Sequence, residues 1–259
     1  MKNKFFYFFF LCCVSNLLAQ ESHEEHQFSL AKFQMDYREY GKSGDILDSE
    51  KSNFSDIAGV EYKYRYFLNK NSNIDFAILR VEGGSEYVGS YLTTNEGYGS
   101  LVETTSNVVE DISLGYNATS ISNFNIVMLG GFGLGYRYWK RALSPTQVEL
   151  YRWYSLRLNG GVRFVYKNLT ASLIAEYQYG IKPIMTTTGI TEEFRLSSAN
   201  IAKLSIPVRY MINEKIDLIF TYVFENQKIS ESNIVANRYF EPDSTAYNQY
   251  LKTGVVFKY

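Results

Sequence analysis

Residues 154–178 read YSLRLNGGVRFVYKNLTASLIAEYQ. Tyr154, Leu156, Leu158, Val162 and Phe164 share one parity, and Ser155, Arg157, Asn159 and Arg163 the other. After Lys167 and Asn168 the pattern resumes, with Leu169, Ala171, Leu173, Ala175 and Tyr177 set against Thr170, Ser172, Glu176 and Gln178. Successive side chains of a strand point to opposite faces, so two long alternating runs joined by two residues predict a tight antiparallel hairpin.

The rhythm recurs through the chain. Ala31, Phe33, Met35 and Tyr37 interleave with Lys32, Gln34, Asp36 and Arg38, and Val60, Tyr62, Tyr64 and Tyr66 with Glu61, Lys63 and Arg65. Ala202, Leu204, Ile206, Val208 and Tyr210 oppose Lys203, Ser205 and Arg209, and Leu218, Phe220, Tyr222 and Phe224 oppose Asp217, Thr221 and Glu225. Stretches near 74–83, 107–117, 124–139 and 248–259 bring the number to ten. The connectors alternate long (41–52, 84–106, 140–150, 181–200, 230–247) and short (69–73, 119–123, 167–168, 213–215). Long strands in this two-beat layout suit tilted crossings of a hydrocarbon layer, whereas soluble sandwich strands run to about five or six residues.

Composition agrees with a folded, aromatic-rich β protein. Of 259 residues 46% are hydrophobic and 20% charged, with 23 Tyr and 18 Phe beside only 2 Trp. A formal charge of −1 at pH 7 offers no cationic excess for phosphate backbones, so nucleic acid is not an expected partner. The first 19 residues carry Lys2 and Lys4, an apolar run from Phe5 to Val14, and Ala19 before Gln20, the pattern of a secretory leader. Residues 20–259 are then a single domain. Cys12 and Cys13 both fall in the leader, which leaves that domain without a thiol.

The C-terminal stretch ends Val255, Phe257, Tyr259, an alternating strand that closes the chain on an aromatic residue. This ending resembles the assembly signal of Gram-negative outer-membrane barrels. Together with the leader and the loop rhythm, the chain resembles a small outer-membrane β-barrel of the opacity-protein or OmpW-like group. The resemblance implies an all-β, transmembrane antiparallel up-and-down barrel of ten strands, with eight as the alternative should 74–83 and 107–117 lie above the membrane. It further implies outer-membrane lipid and the outer-membrane assembly machinery as partners, and both termini in the periplasm.

In lipid the polar parity lines the lumen. That assigns Lys32, Asp36, Arg38, Glu61, Arg65, Arg137, Trp139, Arg157, Arg163, Glu176, Arg209 and Glu225 to the interior, with Gly131, Gly133 and Gly135 as a bare track leading to Arg137. Such a lumen either conducts, favouring anions, or is filled by ion pairs, as narrow barrels tend to be. The glycines are either a passage gated by Arg137 and Trp139 or a groove receiving neighbouring side chains. Enzymatic barrels that resemble this one use histidine with Asp or Ser. Here only His23 and His26 follow the leader, both before the first alternating stretch, so no catalytic residues are expected. His23-Glu24-Glu25-His26 also lacks the spacing of a helical zinc site, and no metal or cofactor is expected. The expected function is a narrow small-solute conduit or an envelope-stabilising barrel. The alternative is an adhesin or surface-binding protein acting through loops 84–106, 181–200 and 230–247.

Overall fold

Among the described residues, twelve antiparallel strands form one sheet that closes on itself. The computed structural model describes residues 23–90, 97–121 and 126–259, and the expected leader, residues 1–19, lies outside them. The strands are β1 (His23–Tyr40), β2 (Ile46–Lys51), β3 (Ile57–Asn69), β4 (Ser72–Gly89), β5 (Leu101–Ile121), β6 (Ile126–Ala142), β7 (Val148–Tyr166), β8 (Leu169–Thr187), β9 (Phe194–Arg195), β10 (Ala199–Asn213), β11 (Ile216–Ile229) and β12 (Asp243–Lys258). β2 continues the stave of β3 beyond the kink at 52–56, and β9 is a two-residue addition to β8, so the barrel has ten staves. β1 pairs with β12 from Glu25↔Lys258 to Tyr40↔Asp243, which leaves no open edge. β4 and β5 pair from Ser72↔Ala118 to Gly89↔Leu101, so the eight-stranded alternative does not hold. His23, the first described residue, and Tyr259 lie at the short-turn end, where Glu24 and Tyr259 exchange backbone hydrogen bonds of 3.2 and 2.9 Å.

The outer surface changes character partway up every long strand. On β4 the outward Ile74, Phe76 and Ile78 are followed by Arg80, Glu82 and Glu86, while the inward Leu79 and Val81 are 5% and 1% exposed. On β7 Tyr151 and Trp153 are buried inside, and Tyr154, Leu156 and Leu158 are more than half exposed outside. Apolar residues thus jump from one parity to the other at one level of the barrel, with no bulge there in β4. Toward the turn end the barrel wears an apolar belt, edged by tyrosines such as Tyr154 and Tyr179 above and Tyr166, Tyr210 and Tyr259 below. That belt is the surface lipid covers in a spanning barrel. Above it the strands continue as a collar with an apolar core and a polar exterior, the arrangement water demands.

The inversion corrects three expected lumenal residues. Phe33, Met35 and Tyr37 are the buried members of β1, so Lys32, Asp36 and Arg38 point outward; Lys32 is exposed and Arg38 bonds Asp36 at 3.1 Å. These residues stand on the collar, where the polar parity faces water. It also shortens the expected loops: 84–89 and 101–106 belong to β4 and β5, 181–187 to β8, and 243–247 to β12. His23 and His26 fall within β1, and the His26 ring meets Tyr62, Tyr64 and Tyr259.

The two surfaces respond oppositely to charge. Leu158→Arg in the belt is expected to destabilise the barrel by about 2–4 kcal/mol, and Ser106→Arg on the collar by less than about 0.5 kcal/mol. Urea titration of folding into lipid vesicles measures both.

Candidate functional site

The interior is built in layers, and the alternation of β6 sets their spacing. Its inward residues are Gly131, Gly133, Gly135, Arg137, Trp139 and Arg141 in order from the turn end. Each glycine position is claimed by a neighbour. A Cβ on Gly131 would lie 2.3 Å from Asn117 Oδ1, one on Gly133 2.4 Å from the Leu114 carbonyl, and one on Gly135 2.6 Å from Ser155 Oγ and 3.2 Å from Arg157 Cδ. The track is therefore a groove receiving asparagine, serine and arginine side chains.

Arg137, 2% exposed, is the hub of the next layer. Its Nε and Nη2 donate to Asp111 at 2.7 Å each, its Nη1 and Nη2 to Glu225 at 2.6 and 2.9 Å, and Nη1 also to Gln227 at 2.6 Å. Lys203 Nζ sits 3.0 Å from Glu225 and 3.4 Å from Asp111. Two cations and two carboxylates from four strands thus close a neutral quartet across the barrel. Burying these charges is tolerable because each faces opposite charge and the guanidinium donates bidentately to both carboxylates.

Aromatic packing lies above the quartet. Phe33 meets Tyr250 at 4.6 Å between ring centroids, Trp139 stacks on Tyr151 at 5.1 Å and meets Tyr37 edge-on at 5.2 Å. Trp139 Nε1 donates to Asn107 at 2.8 Å. The void left here is about 10 Å³, room for about one water.

The collar's top holds Arg141 and four glutamates. Arg141, fully buried, donates to Glu50 at 2.9 Å and to Glu39 and Glu149 at 2.8 Å each, and lies 4.2 Å from the centre of the Tyr37 ring. Glu241 accepts from Tyr151, and Glu50 also from Ser85, Thr105 and Asn107. One cation does not neutralise these acids. Burial, and then the charges of Glu39 and Glu149, hold Glu241 well above the usual carboxylate range; burial likewise raises Glu149. Burial, with the charge of Glu39, pushes Asp48 on β2 up to about 7. Burial pushes Glu50 upward too, but Arg141 and its three donors outweigh that and leave it low. Loops 188–198 and 230–242 close the top, joined by Ser197 N to Glu231 O at 3.0 Å and Asn233 N to Arg195 O at 3.1 Å, with Phe194, Leu196 and Val235 buried beneath.

Of the residues expected inside, Glu61, Arg65, Arg137, Trp139, Arg157, Arg163, Glu176, Arg209 and Glu225 point inward. Arg157 pairs with Glu176 at 2.6 Å, Arg65 and Arg209 both with Glu25 at 2.7 Å, and Glu61 with Lys252 at 2.6 Å. Val255, Phe257 and Tyr259 lie on the outward parity of β12, Phe257 with its ring 6.4 Å from that of Phe28. Glu25 and Arg141 were missed, yet extending the inward parity of β1 downward and of β6 upward reaches both.

Arg137→Gln would strand Asp111 and Glu225 on Lys203 alone, and an expected loss of about 3–5 kcal/mol follows. Arg38→Gln on the outer face should cost less than about 1 kcal/mol; equilibrium unfolding measures the contrast. The raised acids of the collar bind protons more tightly folded than unfolded. Their stabilising contribution is therefore present at low pH and lost as pH rises, for Asp48 between its ordinary 3.8 and about 7. Amide exchange in the collar, corrected for intrinsic rates, should show stronger protection at the acid side of that window, and Glu241→Gln should flatten the slope.

No protein-family model matches the chain, and no curated protein matches it. Solved structures do. The outer-membrane protease OmpT from Escherichia coli superposes with a TM-score of 0.58 at 10% identity, covering 94% of this chain and all of that one. The translocator domain of the autotransporter NalP from Neisseria meningitidis matches at TM-score 0.43 and 10% identity, over 97% of this chain and 94% of that one. OprG from Pseudomonas aeruginosa matches at 0.41 and 9%, over 92% and 95%. At 10% identity the likeness to OmpT concerns fold alone, and that fold is an outer-membrane β-barrel.

Proposed function

We propose that this chain is a non-enzymatic, non-conducting outer-membrane barrel that stabilises the envelope and holds a rigid collar outside the lipid. The observation that carries this reading is the continuous packing across the lumen between Arg137 and Arg141. Arg137, Trp139, Tyr151, Phe33 and Tyr250 are each at most 2% exposed, and the void that Phe33, Met35, Arg137 and Trp139 line holds no more than about one water. A hydrated ion has no path through such layers. Of the two expected readings of the lumen, the filled one is favoured.

In this reading the leader ends at Ala19, the short turns and both termini are periplasmic, and the collar is extracellular. Val255, Phe257 and Tyr259 sit at the closing seam, where the assembly machinery would engage them. The carboxylates of the collar are an unpromising catalytic set: Glu39, Glu50, Glu149 and Glu241 are all under 9% exposed and shut beneath the two loops. A second reading, surface binding, is favoured by one observation. The lid presents Ile234, Tyr239 and Phe240 at 67%, 38% and 40% exposure, three large apolar side chains open to solvent within one loop.

The refolded barrel in a planar bilayer is expected to give no conductance steps. Steady single-channel openings with the wild-type chain would overturn the sealed-lumen reading. Replacing Ile234, Tyr239 and Phe240 by Ser tests the second: adhesion of cells displaying the barrel should fall, and unchanged adhesion would remove that role.

A further inference from the structure

Below the ionic quartet the lumen widens into a cup of about 640 Å³, blind at Tyr250 and Lys203 and edged by Lys70 and Lys167 at the turn end. This volume lies within the roughly 300–1,000 Å³ typical of small-molecule sites. Ten Lys and Arg side chains line it against six Asp and Glu. Some are matched singly, as Lys63 is to Asp75 at 3.0 Å and Lys252 to Glu61 at 2.6 Å. Near the mouth the matching fails. Glu25 is shared by Arg65 and Arg209, and Asp217 by Arg209 and Lys258, so three cations rest on two carboxylates.

Arg163 stands beside them with no partner. It lines the cup on the inward parity of β7, within electrostatic reach of Arg65, Arg209 and Glu25, and makes no hydrogen bond or ion pair among the described residues. A guanidinium carries five N–H donors in a planar fork matched to carboxylate and phosphate. Placing one, unengaged, beside two like charges in a walled cavity raises its electrostatic energy. An oxyanion bound there would relieve that repulsion while accepting bidentate hydrogen bonds. Deeper in the cup Lys63, Arg157, Lys203 and Lys252 each meet a carboxylate, whereas Arg163 meets none among the described residues.

We propose that the cup is a binding site for a small multivalent oxyanion bearing phosphate or carboxylate groups, with Arg163 as its contact residue. The ligand enters from the turn end, which the orientation proposed above makes periplasmic. Binding does not depend on that orientation, nor on whether the lumen conducts, so the two readings fail separately.

The test is calorimetric titration of the full barrel in a zwitterionic detergent with pyrophosphate and, in a separate arm, citrate. Saturable binding of one equivalent is expected for at least one probe, weakening as NaCl rises from about 20 to about 300 mM. Pyrophosphate alone would identify a phosphate-bearing ligand, and citrate alone a carboxylate-bearing one. Arg163→Gln should raise Kd about tenfold or more, Arg163→Lys, which keeps the charge but not the bidentate fork, should fall between wild type and Arg163→Gln, and Arg38→Gln on the outer face should change nothing. Because Arg163 makes no hydrogen bond or ion pair among the described residues, its replacement is expected to leave the fold intact, which circular dichroism checks. Absence of binding by both probes up to about 10 mM, or equal affinity in wild type and Arg163→Gln, would overturn the proposal.

Discussion

Each long strand of this barrel is solvated by two media in succession. In hydrocarbon the exterior must be apolar and all backbone groups paired; in water the apolar side chains must turn inward. A strand's period of two gives only one way to satisfy both, which is to exchange the roles of its faces at the boundary. β1 does so between Leu30, 72% exposed outside, and Phe33, fully buried inside. β4 does so between Ile78 and Leu79, and β7 between Trp153 and Tyr154. The girdle of tyrosines, the closed β1–β12 seam and the layered interior all follow from that exchange.

The interior changes with the exterior. Where lipid lies outside, the lumen is polar, and its charges pair across strands or face the open cup. Where water lies outside, the lumen becomes a core of Phe33, Met35, Tyr37, Trp139 and Tyr151. The Arg137 quartet sits at the junction, and a polar lumen can adjoin an apolar core there because its four charges are matched among themselves. The collar's own charged centre, at Arg141, is acid-rich by contrast. Burial raises the proton affinity of Glu149, Glu241 and Asp48, and this couples the collar's stability to pH.

The ten staves, the hairpin at Lys167 and Asn168, and most inward residues were legible because alternation survives in sequence whatever the solvent. What misled was treating one parity as lumenal along a whole strand. Ala31 to Tyr37 is a strong alternating run, but it belongs to the collar, so Lys32, Asp36 and Arg38 were assigned inward and Glu25 was overlooked. The ends of loops 84–106 and 230–247 misled for the same reason, since strand continuing with inverted polarity resembles a polar connector. A shift of apolar residues from even to odd positions, as between Ile78 and Leu79, is the signal that marks the boundary. Which cation stays unpaired was not legible: Arg163 and Arg157 occupy the same parity of one strand, and only the neighbours brought by other strands distinguish them.

In this architecture β4 leaves lipid between Ile78 and Arg80. Nitroxide labels at outward positions 74, 76, 78, 80, 82 and 86, read by power saturation in lipid vesicles, test it directly. High oxygen accessibility through position 78, giving way to high accessibility to a water-soluble nickel chelate from position 80 onward, is the predicted result. Oxygen accessibility that persisted through positions 82 and 86 would place the collar in the membrane and contradict the account.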